Sequence, residues 1–284
     1  MSQSPRLNSF RNWCQNTKRD TLVMGILNVT PDSFSDGGEF YSQKQAIRHA
    51  TQLINNGVDI IDVGGESSRP GADEVSEKEE LNRTIPVIQK IRSISSDILI
   101  SIDTTKSRVA LEAIQSGADI INDISGLSFD PKMADIAKDL RVPLIIMHMQ
   151  GTPSNMQNNP TYNSLIEDIS LFFKRKIKFV LSVGIDKKQI ILDPGIGFGK
   201  TVDNNFQIIN QLNEFCKLGL PVMIGPSRKS FIGRTLDLPV DDRLEGTAAT
   251  VAAGILNGAR IVRVHDVKEM KRVVSIVEKI RTAA

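Results

Sequence analysis

Polar side chains that can bind a ligand follow a series of short apolar runs along this sequence. The first run, Thr21–Leu27, stops at Asn28, and a loop rich in Pro, Asp, Ser and Gly comes next. Polar residues also stand where the other runs end: Glu66–Arg69, Asp103, Asn122–Asp123, His148, Asp193, Ser227–Lys229, Arg263 and His265. One such residue is typical of a helix cap or a turn. Polar residues at all eight ends predict a ligand that pairs with them, because each unpaired buried group costs about 1–3 kcal/mol.

Three of these residues offer mainly hydrogen-bond acceptors. Asp103 and Asp193 contribute carboxylates, and Asn122 contributes an amide that both donates and accepts. Such a set suits a flat ring that carries several N–H donors, such as an aminopyrimidine. It also suits a divalent metal bound through oxygen atoms, and the residues alone leave both interpretations open.

A second set has the opposite charge. Arg263 and His265 are two residues apart, so they share one face of a strand, and Lys229 precedes them in the chain. Together with Asn28 they can hold a phosphate or a pyrophosphate. An interior salt bridge for Arg263 and a structural hydrogen bond for His265 are the alternatives. Lys229 also admits a Schiff base, as in barrel aldolases, although its neighbour Arg228 favours contact with an anion about as well.

The glycine-rich stretch Asp193–Thr201 resembles two nucleotide-binding motifs without matching either. A Walker A loop would need a glycine where Pro194 stands, and the GxGxG pattern lacks the final spacing of a dinucleotide fingerprint. Its glycines more simply allow the backbone to approach a ligand closely. The three histidines of the chain form no HExxH motif or zinc cluster.

The elements that must position these residues alternate strictly along the chain. Eight apolar runs predict strands at Thr21–Leu27, Val58–Val63, Ile98–Ile102, Asp119–Ile121, Pro143–Met147, Ile190–Leu192, Leu220–Ile224 and Arg260–Val264. Amphipathic stretches predict helices near 43–56, 77–95, 105–116, 131–140, 164–183, 203–215, 241–257 and 267–281. Eight strand–helix units predict an α/β fold, a single-domain (β/α)8 TIM barrel over residues 21–284, with the site at the carboxyl ends of the strands. Residues 1–20 are interpreted as a loose lead-in or a lid on the barrel floor.

Composition excludes several classes of function. The chain has 284 residues and a net charge of +2, so nothing in its overall charge favours nucleic acid or an anionic membrane. Its two cysteines, Cys14 and Cys216, are far apart and predict reduced thiols. Residues 1–20 lack the apolar segment of a signal peptide, and no run approaches the roughly 20 residues of a membrane span. We therefore expect a cytoplasmic protein.

Taken together, the motifs resemble those of the dihydropteroate synthases. The resemblance covers nearly the whole chain, from Met24 to Val267, and nine motifs fit in order and spacing. They are MGILNVTPDSFSDGG (24–38), DVGGESSRPGA (62–72), ISIDT (100–104), DIINDISG (119–126), IIMHMQGTP (145–153), ILDPGIGFGKT (191–201), GPSRKSFIG (225–233), RLEGTAAT (243–250) and VRVHDV (262–267). One such motif would be weak evidence, but nine in order are highly specific.

The resemblance implies a reaction and a set of site residues. The enzyme would join 4-aminobenzoate to 6-hydroxymethyl-7,8-dihydropterin diphosphate, with Mg2+ on the diphosphate, and release pyrophosphate and 7,8-dihydropteroate. The implied pterin-binding residues are Asp103, Asn122, Met147, Asp193, Gly197, Phe198, Lys229 and Arg263. The implied diphosphate-binding residues are Asn28, Arg263 and His265, with Asn28 near the metal. The residues expected to be catalytic are Asp103, Lys229 and Arg263.

The second substrate would bind under two loops, Pro31–Gly38 and Glu66–Gly71. The residues implied for its pocket are Phe34, Ser68, Arg69, Pro70 and Ser230. Sulfonamides mimic 4-aminobenzoate, so inhibition by them is expected, although the family usually has Thr where Ser68 stands. A homodimer through outer helices is also expected from the family. The alternatives are a pterin-binding methyltransferase, a non-catalytic pterin-binding barrel and a Schiff-base aldolase.

Overall fold

Eight parallel strands and eleven helices occupy the part of the chain that the structure describes. This computed structural model describes residues 4–16, 18–30, 38–69, 71–72 and 74–283, with the backbone alone at 38–42. The strands are β1 Leu22–Asn28, β2 Ile60–Gly64, β3 Leu99–Asp103, β4 Ile120–Asp123, β5 Leu144–Met147, β6 Ile190–Asp193, β7 Met223–Ile224 and β8 Ile261–Val264. The helices are α1 Pro5–Gln15, α2 Gly38–Asn55, α3 Glu77–Ile94, α4 Ser107–Gln115, α5 Met133–Leu140, α6 Leu165–Ser182, α7 Val202–Asn210, α8 Asn213–Cys216, α9 Ser230–Leu236, α10 Leu244–Leu256 and α11 Val267–Thr282.

The strands form one sheet that almost closes on itself. Their order is β6-β5-β4-β3-β2-β1-β8-β7, with parallel pairing throughout. The two edges meet through a single bridge between Leu192 and Val222, where the Leu192 amide donates to the Pro221 carbonyl at 3.0 Å. The predicted (β/α)8 barrel is confirmed.

Differences from the predicted bounds have local causes. The strand expected over Leu220–Ile224 shortens to two residues, since Pro221 has no N–H with which to extend the ladder. The helix expected over 203–215 divides into α7 and α8. Helix α9 was missed, because no amphipathic stretch was identified between residues 215 and 241.

Side chains inside the barrel change from apolar to polar along its axis. Successive strand residues point to opposite faces, so inward positions recur every second residue. The lower inward layer contains a cluster of buried apolar side chains, Met24, Ile60, Ile120, Ile145, Ile191, Met223 and Ile261. Two residues further along their strands stand Asp62, Asn122, Asp193 and Arg263. The carboxyl-end half of the barrel is therefore the half that can bind a polar ligand.

Helix α1 covers the amino end of the barrel, within the segment interpreted as a lead-in or lid. Phe10 is 2% exposed and packs on the lower apolar layer together with Cys14, a free thiol. Arg6 fixes the helix to the barrel through Nε, which lies 2.9 Å from Oδ1 of Asp119. The apolar floor thus comes from both the barrel and its N-terminal helix.

Candidate active site

Four polar side chains from four strands form one connected cluster in the barrel mouth. Arg263 donates from Nε to Oδ2 of Asp62 at 2.6 Å and from Nη2 to Oδ2 of Asp103 at 2.8 Å. Asn122 donates from Nδ2 to the same Asp62 oxygen at 3.1 Å. The Asp62 side chain is fully buried, and that of Arg263 is 19% exposed. The structure therefore brings together three predicted site residues around one that was not predicted.

Asp62 was missed because it lies inside an apolar run rather than at its end. The available signal was an acid in the middle of the buried strand IIDVG. The expectation that the polar groups need a ligand for pairing also requires correction, because Arg263 already pairs with Asp62 and Asp103. Oδ1 of Asp62, Oδ1 of Asn122 and Oγ of Ser101 are buried and accept no hydrogen bond from the described residues. These oxygens can still accept from a bound ring.

Burial changes the protonation of the cluster. It raises the pKa of Asp103 to about 7; Arg263 opposes this shift and Asp62 adds to it. Burial likewise raises the pKa of Asp193. It would by itself lower the pKa of Arg263, but Asp62 and Asp103 raise that pKa overall. Near pH 7 the Arg263 guanidinium therefore stays protonated, while the Asp103 carboxyl can gain or lose a proton.

Asp193 is the last residue of β6, and the loop that follows it folds against Lys229. Oδ1 of Asp193 accepts from the Gly195 amide at 2.7 Å, and Met147 pairs with Asp193 in the sheet. Nζ of Lys229 donates to the Ile196 carbonyl and lies 4.5 Å from the centre of the Phe198 ring. Burial lowers the pKa of Lys229 to about 7, and Asp193 opposes that shift.

Close packing at Gly197 fixes the lysine stem. A Cβ at Gly197 would lie 2.8 Å from Cδ of Lys229, and its backbone is left-handed, with φ of +82°. The predicted pterin-binding residues Gly197 and Phe198 thus both contact Lys229.

A second buried lysine supports this loop from behind. Nζ of Lys200 lies 2.8 Å from the Phe198 carbonyl, 3.3 Å from the His148 carbonyl and 3.2 Å from Nδ1 of His148. Lys200 is 3% exposed, and burial lowers its pKa to about 7. The glycine-rich stretch does not match a Walker A loop, and no other role was predicted for Lys200. The signal that could have identified it was a lysine inside an otherwise uncharged loop.

His265 lies beside Ser227, which contacts Nδ1 through its Oγ at 2.9 Å. Burial, followed by Arg263 and Arg228, lowers the pKa of His265 to about 4. The ring is therefore neutral at pH 7, which corrects its inclusion among the positive charges. It can bind an anion by donating a hydrogen bond, but it contributes no charge before the ligand arrives.

Asn28 stands at the rim, close to Asp103. It pairs with Gly64 in the sheet, and Gly64 pairs with Asp103. A Cβ at Gly64 would lie 3.7 Å from Oδ1 of Asn28 and 3.6 Å from Cβ of Asp103. The glycine therefore leaves space between these two side chains. Among the described residues, no group of three or more His, Cys, Asp or Glu is arranged to hold a metal ion.

Other polar strand ends have structural partners outside the cluster. Asp123 accepts from the amides of Ser125 and Leu127, as expected of a turn former. Arg228 forms a two-pronged ion pair with Asp266, at 3.0 and 2.6 Å. The alternative of a cap or turn is therefore correct for Asp123, and Arg228 braces the loop next to Lys229.

Comparison with known proteins agrees with this geometry. The family described as "Pterin binding enzyme" matches residues 24–265. The dihydropteroate synthase of Synechocystis sp. is 51% identical over 259 residues, which cover 91% of this chain and 89% of that protein. The chain belongs to the dihydropteroate synthase family. Its function is therefore that of a dihydropteroate synthase, a transferase of folate biosynthesis.

Solved structures of dihydropteroate synthases share the fold closely. The Yersinia pestis enzyme in complex with a sulfonamide drug has a TM-score of 0.88 and 45% identity, covering 93% of this chain and 95% of that one. The Xanthomonas albilineans enzyme with 4-aminobenzoic acid has a TM-score of 0.88 and 37% identity, covering 95% and 96%.

Three of the five residues expected to bind the second substrate of a dihydropteroate synthase are described. Ser68 is half-buried and Arg69 is exposed, and the charge of Arg69 contributes to the low pKa of His265. Ser230 is exposed at the first position of α9, next to Lys229. Phe34 and Pro70 lie outside the described residues, as does nearly all of the Pro31–Gly38 loop.

Proposed function

We propose that this chain condenses 4-aminobenzoate with 6-hydroxymethyl-7,8-dihydropterin diphosphate, forming 7,8-dihydropteroate and pyrophosphate. The observation that carries the proposal is the acceptor cluster around Arg263. A pterin presents several ring and amino N–H groups at its edge. Unpaired oxygens of Asp62 and Asn122 and the carboxyl of Asp193 match that pattern of donors.

The pterin would lie between the cluster and the β6 loop. Asp103, Asn122 and Asp193 would hold its edge, with Lys229 donating where the ring offers an acceptor. Met147 and the Arg263 guanidinium would contact the faces of the ring, and Gly197 and Phe198 would keep Lys229 in place. A related Yersinia pestis structure that holds a pterine-sulfa conjugate supports a pterin site in this fold, and structures with a sulfonamide and with 4-aminobenzoic acid support the second substrate.

Loss of the diphosphate is the step that the positive groups would assist. Arg263 and His265 would bind the diphosphate oxygens, and Asn28 would contact them from the rim. Negative charge grows on the leaving oxygen as the C–O bond breaks, so a fixed guanidinium and a donated hydrogen bond lower the barrier. The approaching anion would raise the pKa of His265 from about 4, so that the ring can become a cation as the ligand binds.

Mg2+ is part of the proposal. Mg2+ keeps several waters and takes only one or two protein oxygens when it is bound through substrate phosphates. Oδ1 of Asn28 at the rim fits that need, and the donor set of the described residues offers no dedicated cage. When bound, the ion would neutralise charge on the leaving diphosphate.

The carbon–nitrogen bond forms without a dedicated base. The electron-rich dihydropterin can delocalise the positive charge left by the departing diphosphate, and ionised Asp103 would stabilise that charge. The arylamine is already a nucleophile, and the proton that it loses can pass to solvent. These requirements explain why no pair of catalytic base and nucleophile is needed in the cluster.

Location and assembly are further expectations. No helix in the described part of the chain is long and apolar enough to span a bilayer. Separately, the net charge of +2 underlies the proposal of a cytoplasmic enzyme that binds small molecules and neither nucleic acid nor membrane. A homodimer through outer helices would cover apolar side chains that are otherwise exposed, including Leu256, Ile276 and Ile280.

Pyrophosphate release tests the proposal directly. The protein would be incubated with the pterin diphosphate and Mg2+, with and without 4-aminobenzoate. Release that depends on 4-aminobenzoate, with dihydropteroate formed, is the expected result. Asp103→Asn should abolish most of it, whereas Asp97→Asn, at an exposed position two residues before β3, should not. Binding without release would instead indicate a non-catalytic pterin-binding barrel, and no binding would favour the methyltransferase.

A further inference from the structure

A buried ion-pair triad underlies the loop that follows β2. Nζ of Lys106, just before α4, contacts Oε2 of Glu66 and lies 2.7 Å from Oε2 of Glu80 on α3. The Glu80 side chain is fully buried, while those of Lys106 and Glu66 are 18% and 26% exposed. None of the three belongs to the pterin cluster described above.

The triad contains two carboxyl groups and one ammonium group, so Lys106 is the shared partner of Glu66 and Glu80. Burial raises the pKa of Glu80, and the hydrogen bond from Lys106 opposes that shift. Burial alone would lower the pKa of Lys106, but its hydrogen bonds to Glu66 and Glu80 raise that pKa overall. Lys106 is therefore a firm cation whose position is determined by the buried carboxylate of Glu80.

Glu66 connects Lys106 to the loop that follows β2. Its Oε2 meets Lys106, and its Oε1 accepts from the Val75 amide at 3.2 Å. One carboxylate therefore joins the two ends of the segment between residues 66 and 75, which contains Ser68 and Arg69. The base of this segment is also packed on α3, since Arg83 donates to the Gly65 carbonyl at 2.9 Å.

We propose that Lys106, acting through Glu66, is a positioning residue that sets where Ser68 and Arg69 stand and so determines affinity for the second substrate. The proposal rests on the function proposed above, in which those two residues contact 4-aminobenzoate. Lys106 touches neither substrate. The pterin cluster is anchored in the barrel strands, so this device acts on one substrate and leaves the other almost unaffected.

Two variants and a matched control test the proposal. Lys106→Met removes the cation. Glu66→Ala removes only the contact to the loop and keeps the buried Lys106–Glu80 pair, so this variant should still fold if Lys106→Met does not. Arg108→Met is the control, because Arg108 also joins the start of α4 to α3, through Glu77 at 3.2 Å, but at the exposed surface. Each variant is assayed for both KM values, for kcat and for the Kd of the pterin diphosphate.

We expect the KM for 4-aminobenzoate to rise about tenfold in both test variants, as for loss of one hydrogen bond between charged groups. The Kd for the pterin diphosphate should stay within about twofold of the wild-type value. A tenfold change would require the loss of about 1.4 kcal/mol of binding free energy, and neither side chain belongs to the pterin cluster. Arg108→Met should change neither quantity. Equal losses for both substrates, or no rise in the KM for 4-aminobenzoate, would overturn the proposal.

Amide hydrogen exchange separates this proposal from the proposed function. Exchange at residues 66–69 of the ligand-free protein should accelerate in Lys106→Met and Glu66→Ala, and not in Arg108→Met. This readout needs no turnover, so it remains valid if the wild-type protein forms no dihydropteroate. Unchanged exchange at 66–69 would reject the positioning role even in an active enzyme.

Discussion

Arg263 on β8 donates to Asp62 on β2 at 2.6 Å, although β1 lies between their two strands in the sheet. The contact passes across β1 and uses an oxygen that Asn122 also contacts. A guanidinium held in this way cannot rotate toward solvent without depriving a buried carboxylate of its positively charged partner. Asp62 therefore orients the main positive charge of the site.

Asp62→Asn tests that relationship through pH dependence. Asp62 is one of the charges that raise the pKa of Asp103 to about 7, so its neutralisation should move the Asp103 ionisation to lower pH. We expect kcat/KM to fall about a hundredfold, equivalent to about 2.7 kcal/mol, and its acidic limb to shift below pH 7. Glu214→Gln, in the exposed pair with Lys217, is the control. A lower rate with an unmoved limb would mean that Asp62 only supports the fold.

Gly197→Ala tests the packing of the β6 loop on Lys229. The new Cβ would lie only 2.8 Å from Cδ of Lys229. The left-handed backbone would also cost an alanine about 1–2 kcal/mol. Gly57→Ala is the matched control, since its φ is +78° and its Cβ would meet only Cε of Lys271, at 3.9 Å. We expect both variants to lose stability, but only Gly197→Ala to bind the pterin diphosphate about tenfold more weakly, measured by titration calorimetry. Equal affinities in the two variants would contradict the role given to Gly197.

Lys200→Met tests the buried ammonium behind that loop. The pKa of Lys200 is about 7 in the folded protein against a usual 10.5, so between these values the unfolded chain binds more protons. Stability should therefore rise with pH from 7 to about 10, by at most about 1.4 kcal/mol per pH unit from this group. Denaturant unfolding at several pH values should show a flatter slope in Lys200→Met than in the wild type. Lys217→Met, which removes an exposed lysine, should keep the wild-type slope, and identical slopes in all three proteins would refute the assignment.

Ser68→Thr tests the second-substrate pocket. Ser68 keeps the hydroxyl of the Thr usual in the family but lacks its methyl group, so the pocket wall is expected to be slightly looser. We expect the substitution to change sulfonamide inhibition several-fold, on the scale of one methyl group at roughly 0.8 kcal/mol, while kcat changes little. Inhibition curves with and without competing 4-aminobenzoate give the measurement, and Ser93→Thr on the exposed side of α3 is the control. Comparable effects on inhibition and turnover would disprove the prediction.

Local sequence patterns were sufficient for the strands and for the residues at their ends. A buried parallel strand must be apolar, so each run could be located, and Asp103 and Asn122 stand where two runs stop. Asp62 was not predictable by the same reasoning, because its partner Arg263 is 201 residues away and the pairing depends on barrel closure. The neutral state of His265 could not be predicted from the sequence either, because its pKa depends on burial and on charges that only the fold brings close.

The apolar floor of the barrel determines how small molecules reach the site. Phe10 and the lower inward layer fill the amino end in the part of the chain that the structure describes, so the polar cluster opens only toward the carboxyl end. Both substrates and both products must then share one passage. In the proposed binding mode the pterin site is the deeper one, so the pterin diphosphate would enter before 4-aminobenzoate. Bound 4-aminobenzoate would then delay the exit of the pterin diphosphate.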